Sequence, residues 1–256
     1  MYGYREATSP VTCERKDLPV PLKSALARIA AVFMMVASTI VIGQAPASAQ
    51  AAPVAGGDAI VLNGYSICTL GATGFDNTGR AIAFTAGHCS ENIGDPVALR
   101  DNEAHGQIGQ VVARNEVLDY AVIELSPNVV PVRQPGIAGR GGTPHLGEVV
   151  CKVGASTGHA CGVTWESDGP WFWNQACAGP GDSGGPMMVG DRLVGLLSGG
   201  GMPPITGAAG SLAYAMPPCL HPAQSPFFLP GLAVSFDAIV DDATHRDWPG
   251  AGFTLA

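Results

Sequence analysis

From residue 54 onward the hydrophobic positions fall in short runs of three to eight residues, separated by glycine, proline, asparagine and aspartate. That rhythm predicts short strands between tight turns rather than helices. One group of runs covers 59–62, 66–70, 81–85, 97–99, 106–113 and 120–125. A second covers 147–153, 161–163, 185–189, 193–197 and 212–215, with 128–139 bridging the two. Only near the end does the period lengthen: Phe236, Ile239 and Val240 share one face of a helix that Ser235 is placed to cap. With 35 glycines and 21 prolines in 256 residues, many strands of this kind predict an all-β sandwich or barrel. No repeat of fixed period is present, and a coiled coil or helical bundle is excluded.

Charged residues make up only 13% of the chain and hydrophobic residues 46%. No run reaches the ~20 apolar residues that a membrane-spanning helix needs. At the N-terminus, Lys23 and Arg28 precede an apolar stretch from 29 to 43 and then Ala47-Ser48-Ala49. This order predicts a secretory signal over 1–49, cleaved after Ala49. An uncleaved membrane anchor is the rival reading, and the basic leader is long enough that the true start can lie downstream of Met1. Beyond residue 49 stand eight basic residues, with Lys152 the sole lysine, against eighteen acidic ones. So few scattered cations exclude a basic patch, and with it a nucleic-acid partner. Of seven cysteines, Cys13 falls in the leader. The remaining six are Cys68, Cys89, Cys151, Cys161, Cys177 and Cys219. An even number in an exported chain predicts three disulfides, and six cysteines allow about 15 connectivities. No C-x-x-C or H-x-x-x-H spacing favours a metal instead.

The chemistry concentrates in Gly181-Asp182-Ser183-Gly184-Gly185-Pro186. Glycines on both sides of a serine permit positive φ and close approach of a substrate backbone. The N–H groups of Gly181 and Ser183 can converge on an oxyanion. A serine needs a base to act as a nucleophile, and His88, in Thr85-Ala86-Gly87-His88-Cys89, is the candidate. The imidazole in turn needs an orienting group. Asp119, a lone acid in an apolar segment, requires a strong partner if buried, and His88 would be one. Taken singly, each residue has a bland reading as a turn, a structural histidine or a strand cap. Their joint occurrence in the order His, Asp, Ser points to catalysis.

These segments resemble the chymotrypsin-like serine endopeptidases, in the bacterial streptogrisin and α-lytic protease branch. The likeness begins at Val54-Ala55-Gly56-Gly57 and runs through Thr85–Cys89, residues 118–122, 150–158, Cys161-Gly162, 177–186 and Ser198-Gly199-Gly200. It implies a double antiparallel β-barrel of the trypsin-like fold with a C-terminal helix. The first barrel would span about 54–130 and the second about 131–235, with helix and tail from 235 to 256, inside one protease domain over 50–256. It also implies the pairings Cys68–Cys89, Cys151–Cys161 and Cys177–Cys219. His88 would be general base and then acid, Asp119 its orienter and Ser183 the nucleophile. Arg140 is expected to pair with Asp182. Ser198–Gly200 would bind the substrate backbone as an added strand. Gln175, Ala176, Ala178 and Ser198–Gly200 would wall the specificity pocket. Gln175 stands where an acid would select Lys or Arg, and Leu197 where a histidine would select Glu, so an apolar or aromatic residue before the cut is expected.

Two features depart from this pattern. Only residues 50–53 separate the expected cleavage site from the segment like the mature start, leaving no room for the usual pro-region. Residues 201–218 also make a longer connection than in streptogrisins. The expectation is a secreted, monomeric serine endopeptidase acting on peptide or protein substrates through an acyl-enzyme on Ser183. It would have no metal or organic cofactor and no stable membrane association after signal cleavage. Two rivals stay open. One is a protease-fold surface or binding protein, silent or latent because 201–218 closes its cleft. The other is an α/β-hydrolase esterase, since Gly181–Gly185 satisfies G-x-S-x-G and Asp237 or Asp241 followed by His245 supplies the remaining order.

Overall fold

A computed structural model of the chain describes residues 51–200, 216–221, 223 and 228–256. The expected signal segment, most of the 201–218 connection and the strand expected at 212–215 lie outside the described residues.

The first half of the chain runs through β1 (Ala52–Val54), β2 (Ala59–Leu62), β3 (Ser66–Thr69), β4 (Ala72–Phe75), β5 (Ala81–Ala86), β6 (Pro96–Leu99), β7 (Gln107–Asn115), β8 (Tyr120–Leu125) and β9 (Val129–Pro131). The second continues with β10 (Gly139–Arg140), β11 (Val149–Gly154), β12 (Gly158–Asp168), β13 (Trp171–Asn174), β14 (Pro186–Val189), β15 (Arg192–Gly200) and β16 (Gly231–Ser235). Then come the helix α1 (Phe236–His245) and a last strand, β17 (Thr254–Leu255). β2 to β8 pair antiparallel in the order β4-β5-β8-β7-β6-β2-β3, with β17 added outside β4, and this sheet curls into a half-barrel. In the second half β15-β14-β11-β12-β13-β16 closes on itself through a β15–β16 pairing. Mostly β with one α-helix among the described residues, the fold is the two-barrel arrangement that the resemblance implies, with its first barrel a half-barrel. β1 and β9 form a small parallel pair of their own.

Period-2 burial explains why these runs are strands. In β11 the pattern alternates so that Val150, Lys152 and Gly154 face inward, and successive side chains of a strand point to opposite faces. The first barrel is filled by residues such as Ile60, Leu62, Val97, Ile108 and Ile123, the second by Val150, Phe172, Met187 and Leu197. A third cluster lies between the sheets. Ile82, Phe84 and Val122 of the first meet Met188, Leu193, Leu196 and Val234 of the second, together with Phe236, Ile239 and Val240 of α1. Each such side chain contributes ~1.5–3 kcal/mol on full burial, so the two barrels are fixed against each other by apolar packing.

Ser235 precedes α1, but its side chain makes no capping hydrogen bond. The helix is held by its buried face instead. The tail after α1 returns to the first sheet: Thr254 and Leu255 pair with Phe75 and Gly74. Phe253 packs edge-on against Phe84 and Phe236, with ring centroids 5.0 and 5.7 Å apart.

Candidate active site

His88 sits in a single 3₁₀ turn, Gly87–Cys89, at the end of β5. The residue before it must be glycine. A Cβ at position 87 would lie 2.9–3.0 Å from the Tyr120 nitrogen, the Asn115 oxygen and the Asp119 carbonyl carbon, closer than any real side chain tolerates. The Cys68–Cys89 bridge ties the turn to β3, and Arg114 Nε donates to the Gly87 carbonyl at 2.8 Å.

Asp119 occupies the turn between β7 and β8 at φ 49°, a left-handed conformation uncommon outside glycine but tolerated by aspartate. Its carboxylate faces the histidine turn. Oδ1 accepts the His88 backbone N–H at 2.8 Å and Oδ2 lies 2.9 Å from His88 Nδ1. A carboxylate can only accept, so Nδ1 carries the proton, and in the neutral ring Nε2 is left as the acceptor. The Ser198 hydroxyl also donates to Oδ2. The sequence places Ser198 in the substrate edge and the pocket wall, but its side-chain contact with Asp119 spans 79 positions that no local pattern connects.

Ser183 lies in the turn leading to β14. The turn is built by hydrogen bonds from Asp182 N to Gly179 O (3.1 Å) and from Gly185 N to Asp182 O (2.9 Å). It is pinned to the first barrel where Thr69 N–H donates to Ser183 O at 2.8 Å. Gly184 has φ 84°, and a side chain there would strike the Thr85 hydroxyl and the Thr69 carbonyl. The N–H groups of Gly181 and Ser183 donate to no acceptor in the hydrogen-bond pattern of the described residues.

The expected Arg140–Asp182 pair is corrected. Arg140 lies on the two-residue strand β10 with an exposed side chain, its Nη1 3.7 Å from Asp237 Oδ1. Asp182 pairs instead with Lys152, Nζ to Oδ2 at 2.8 Å, both side chains 0% exposed. The inward parity of β11 places Lys152 there, and that parity was the available signal: a lysine between Cys151 and Val153, in phase with Val150. Asp182 further accepts from Thr157 Oγ1 (2.6 Å), Ser156 N (2.8 Å), Gly179 N (2.9 Å) and Thr157 N (3.0 Å). Burial pushes its carboxyl up, but Lys152 and the Thr157 and Gly179 donors outweigh that and hold it below the usual carboxylate range. The aspartate stays ionised.

Beside Ser183 and His88 opens a cavity of about 270 Å³, whose far wall is formed by Ala178, Gly179 and Ser198–Gly200 with Pro218 and Leu229. Apart from His88 the lining carries no titratable side chain. Two expected wall residues are corrected. Ala176 is buried behind the wall, and Gln175 turns its amide to the Phe228 carbonyl at 3.1 Å. Leu229 lines the cavity, and its N–H donates to Pro217 O at 2.9 Å. β14 stops pairing with β15 at Leu196, opposite Pro186, so among the described residues Ser198–Gly200 have no strand paired on that side.

The three cysteine pairings that the resemblance implied are present, as Cys68–Cys89, Cys151–Cys161 and Cys177–Cys219. Two groupings of histidine with cysteine, around His88 and around His159, use these bridged sulfurs. A metal needs thiolates, which a disulfide does not offer.

A half-barrel and a closed barrel meeting over a histidine, an aspartate and a serine define the architecture of chymotrypsin-like proteases. No family model matches the chain. It is 32% identical to the uncharacterised protein Rv1815 of Mycobacterium tuberculosis over 181 residues, 61% of this chain and 77% of that one. It is 29% identical to serine protease 2 of Streptomyces fradiae over 170 residues, 57% of this chain and 94% of that protein. Protease A of Thermobifida fusca has the same fold, with a TM-score of 0.57 at 20% identity over 80% of this chain and all of that one. The chain belongs to the chymotrypsin-like serine protease family of bacteria.

Proposed function

We propose that the protein is a secreted serine endopeptidase that cleaves peptide bonds through an acyl-enzyme on Ser183. The observation that carries this reading is the Asp119 carboxylate 2.9 Å from His88 Nδ1, with His88 and Ser183 lining one cavity. With Nδ1–H committed to Asp119, His88 Nε2 takes the Ser183 proton as Oγ attacks the scissile carbonyl. The Gly181 and Ser183 N–H groups bind the oxyanion that forms, in a site where fixed donors need no reorganisation. The protonated imidazole, stabilised by Asp119, gives its proton to the leaving amine. Water then releases the acyl group by the same steps in reverse roles.

The substrate backbone adds to the open edge of Ser198–Gly200, and its side chain before the cut enters the cavity walled by Ala178, Gly199 and Leu229. An apolar or aromatic side chain suits a lining without a charge to pair a substrate Lys, Arg or Glu. Three disulfides and the basic–apolar leader support action in an oxidising, extracellular setting.

Intact-mass analysis after treatment with a fluorophosphonate tests the mechanism, with Ser183→Ala alongside. A single adduct that is lost in the variant is expected. A folded, disulfide-bonded protein that takes no adduct would instead mark the silent protease-fold alternative.

A further inference from the structure

The turn that presents Asp119 is short and carries a residue at φ 49°, so something must hold it. Asn115, the last residue of β7, accepts the N–H groups of Val117 and Leu118 on its Oδ1 at 2.9 and 3.0 Å, which shapes the turn from within. Its Nδ2 donates across to Asp242 Oδ2 on α1 at 2.6 Å. Tyr120, the residue after Asp119, is fully buried, and its hydroxyl donates to the same Asp242 oxygen at 2.7 Å. A single carboxylate oxygen from the far end of the chain thus holds both flanks of the Asp119 turn. Arg246, one helical turn on, donates through Nε to both oxygens of Asp242 at 2.9 Å and fixes the carboxylate plane.

We propose that Asp242 is a positioning residue for the Asp119 carboxylate, acting through Asn115 and Tyr120. The inference rests on the peptidase reading and adds to it a device outside the cleft. Asp242 touches neither His88 nor Ser183. Its effect passes through the turn to the 2.8 and 2.9 Å contacts of Asp119 with His88. Burial raises the Asp242 carboxyl, but the Tyr120, Arg246 and Asn115 donors outweigh it and hold the group ionised. Burial and then the Asp242 carboxylate push the Tyr120 hydroxyl far above its ordinary range, so it remains a donor. The bracing is shared: Arg114, next to Asn115, holds the Gly87 carbonyl of the histidine turn. The end of β7 therefore steadies both partners of the His88–Asp119 contact.

The test uses the full disulfide-bonded protein with Asp242→Asn and Tyr120→Phe. One-dimensional proton NMR follows the His88 Nδ1–H, which its carboxylate acceptor moves well downfield, and steady-state kinetics on a chromogenic peptide give kcat and KM. In Asp242→Asn the resonance should broaden or move upfield. Because misplacing a catalytic group by about 1 Å costs up to ~10²-fold, kcat should fall roughly ten- to hundredfold with KM little changed. An unchanged resonance and unchanged kcat would overturn the proposal. Should Asp242→Asn not fold, Tyr120→Phe decides in the same way, because it keeps the ring in the core and removes only the donor. If the unaltered protein takes no fluorophosphonate adduct, the peptidase reading fails, while the resonance comparison still decides whether Asp242 holds Asp119 against His88.

Discussion

Lys152 Nζ lies 2.8 Å from Asp182 Oδ2 in a space that excludes water from both side chains. Asp182 immediately precedes the candidate nucleophile, and its remaining acceptor capacity is spent on the N–H groups of Ser156, Thr157 and Gly179 and on the Thr157 hydroxyl. The pair therefore fixes the conformation of the turn from Gly179 to Gly185 from inside the second barrel. The countercharge for Asp182 comes from β11, a strand of the barrel itself.

Removing one member of that pair leaves the other buried and uncompensated, which typically costs ~3–5 kcal/mol. Lys152→Met should lower stability by about that much in urea unfolding, and any protein that folds should label slowly with fluorophosphonate because the turn is released. Lys152→Met with Asp182→Asn should recover part of the stability, since no lone charge is left inside. A single variant as stable as the unaltered protein would contradict this account.

Acid should unfold the protein for a related reason. In Asp182, burial raises the carboxyl and Lys152 with the Thr157 and Gly179 donors lowers it further than burial lifts it. In Asp76, burial is likewise outweighed by the Thr78 and Arg80 donors. Both folded-state values lie below the unfolded value of about 3.9. A depressed carboxyl contributes stability that is fully present above that unfolded value and is lost as pH falls through the folded ones. The urea midpoint should thus hold its neutral-pH contribution from these groups down to about pH 4 and drop below it. A midpoint that is flat from pH 5 to pH 2 would show that neither carboxylate supports the fold.

Ser198 is the one hydroxyl that donates to Asp119 among the described residues. Ser198→Ala leaves the strand backbone intact and removes a donor to a charged acceptor. Turnover on a peptide should fall about tenfold, equivalent to ~1.4 kcal/mol of barrier, with little change in KM. A rise in KM at unchanged kcat would instead assign Ser198 to substrate binding alone.

The tail offers a purely structural test. Phe253 is 2% exposed and packs on Phe84 and Phe236, joining the end of the chain to β5 and to α1. Phe253→Ala should cost about 3–5 kcal/mol and lower the midpoint of thermal unfolding, while the labelling rate at low temperature should stay close to that of the unaltered protein.

Short apolar runs flanked by turn residues are legible from sequence. β2 at Ala59–Leu62 and β8 at Tyr120–Leu125 match the hydrophobic runs residue for residue. β13, at Trp171–Asn174, is not among the runs read from sequence. β4 is not either, because Ala-Thr-Gly-Phe has little intrinsic strand preference and forms only by pairing with β5. The order and spacing of His88, Asp119 and Ser183 stood out because a serine between glycines and a lone acid in an apolar run are unusual locally. Lys152 and Asp242 did not stand out. Their partners lie 30 and 122 or more positions away, and only the folded sheets bring them into reach.

Leu229 packs directly against Gly200 in the lining of the cavity: a Cβ built on Gly200 would lie 2.7 Å from Leu229 Cδ2. If the cavity takes the side chain before the cut, as proposed above, these two positions should limit its size. Leu229→Ala removes three carbons from the wall and should shift preference toward larger aromatic side chains in a peptide library. Gly200→Val pushes a branched side chain against Leu229 and over the edge where the substrate backbone adds, so it should depress cleavage of all large residues. The two changes should move the ratio of cleavage after Phe to cleavage after Ala in opposite directions, upward for Leu229→Ala and downward for Gly200→Val. A ratio unmoved by both would mean that the substrate side chain enters somewhere else, and that the cavity beside Ser183 is not the specificity pocket.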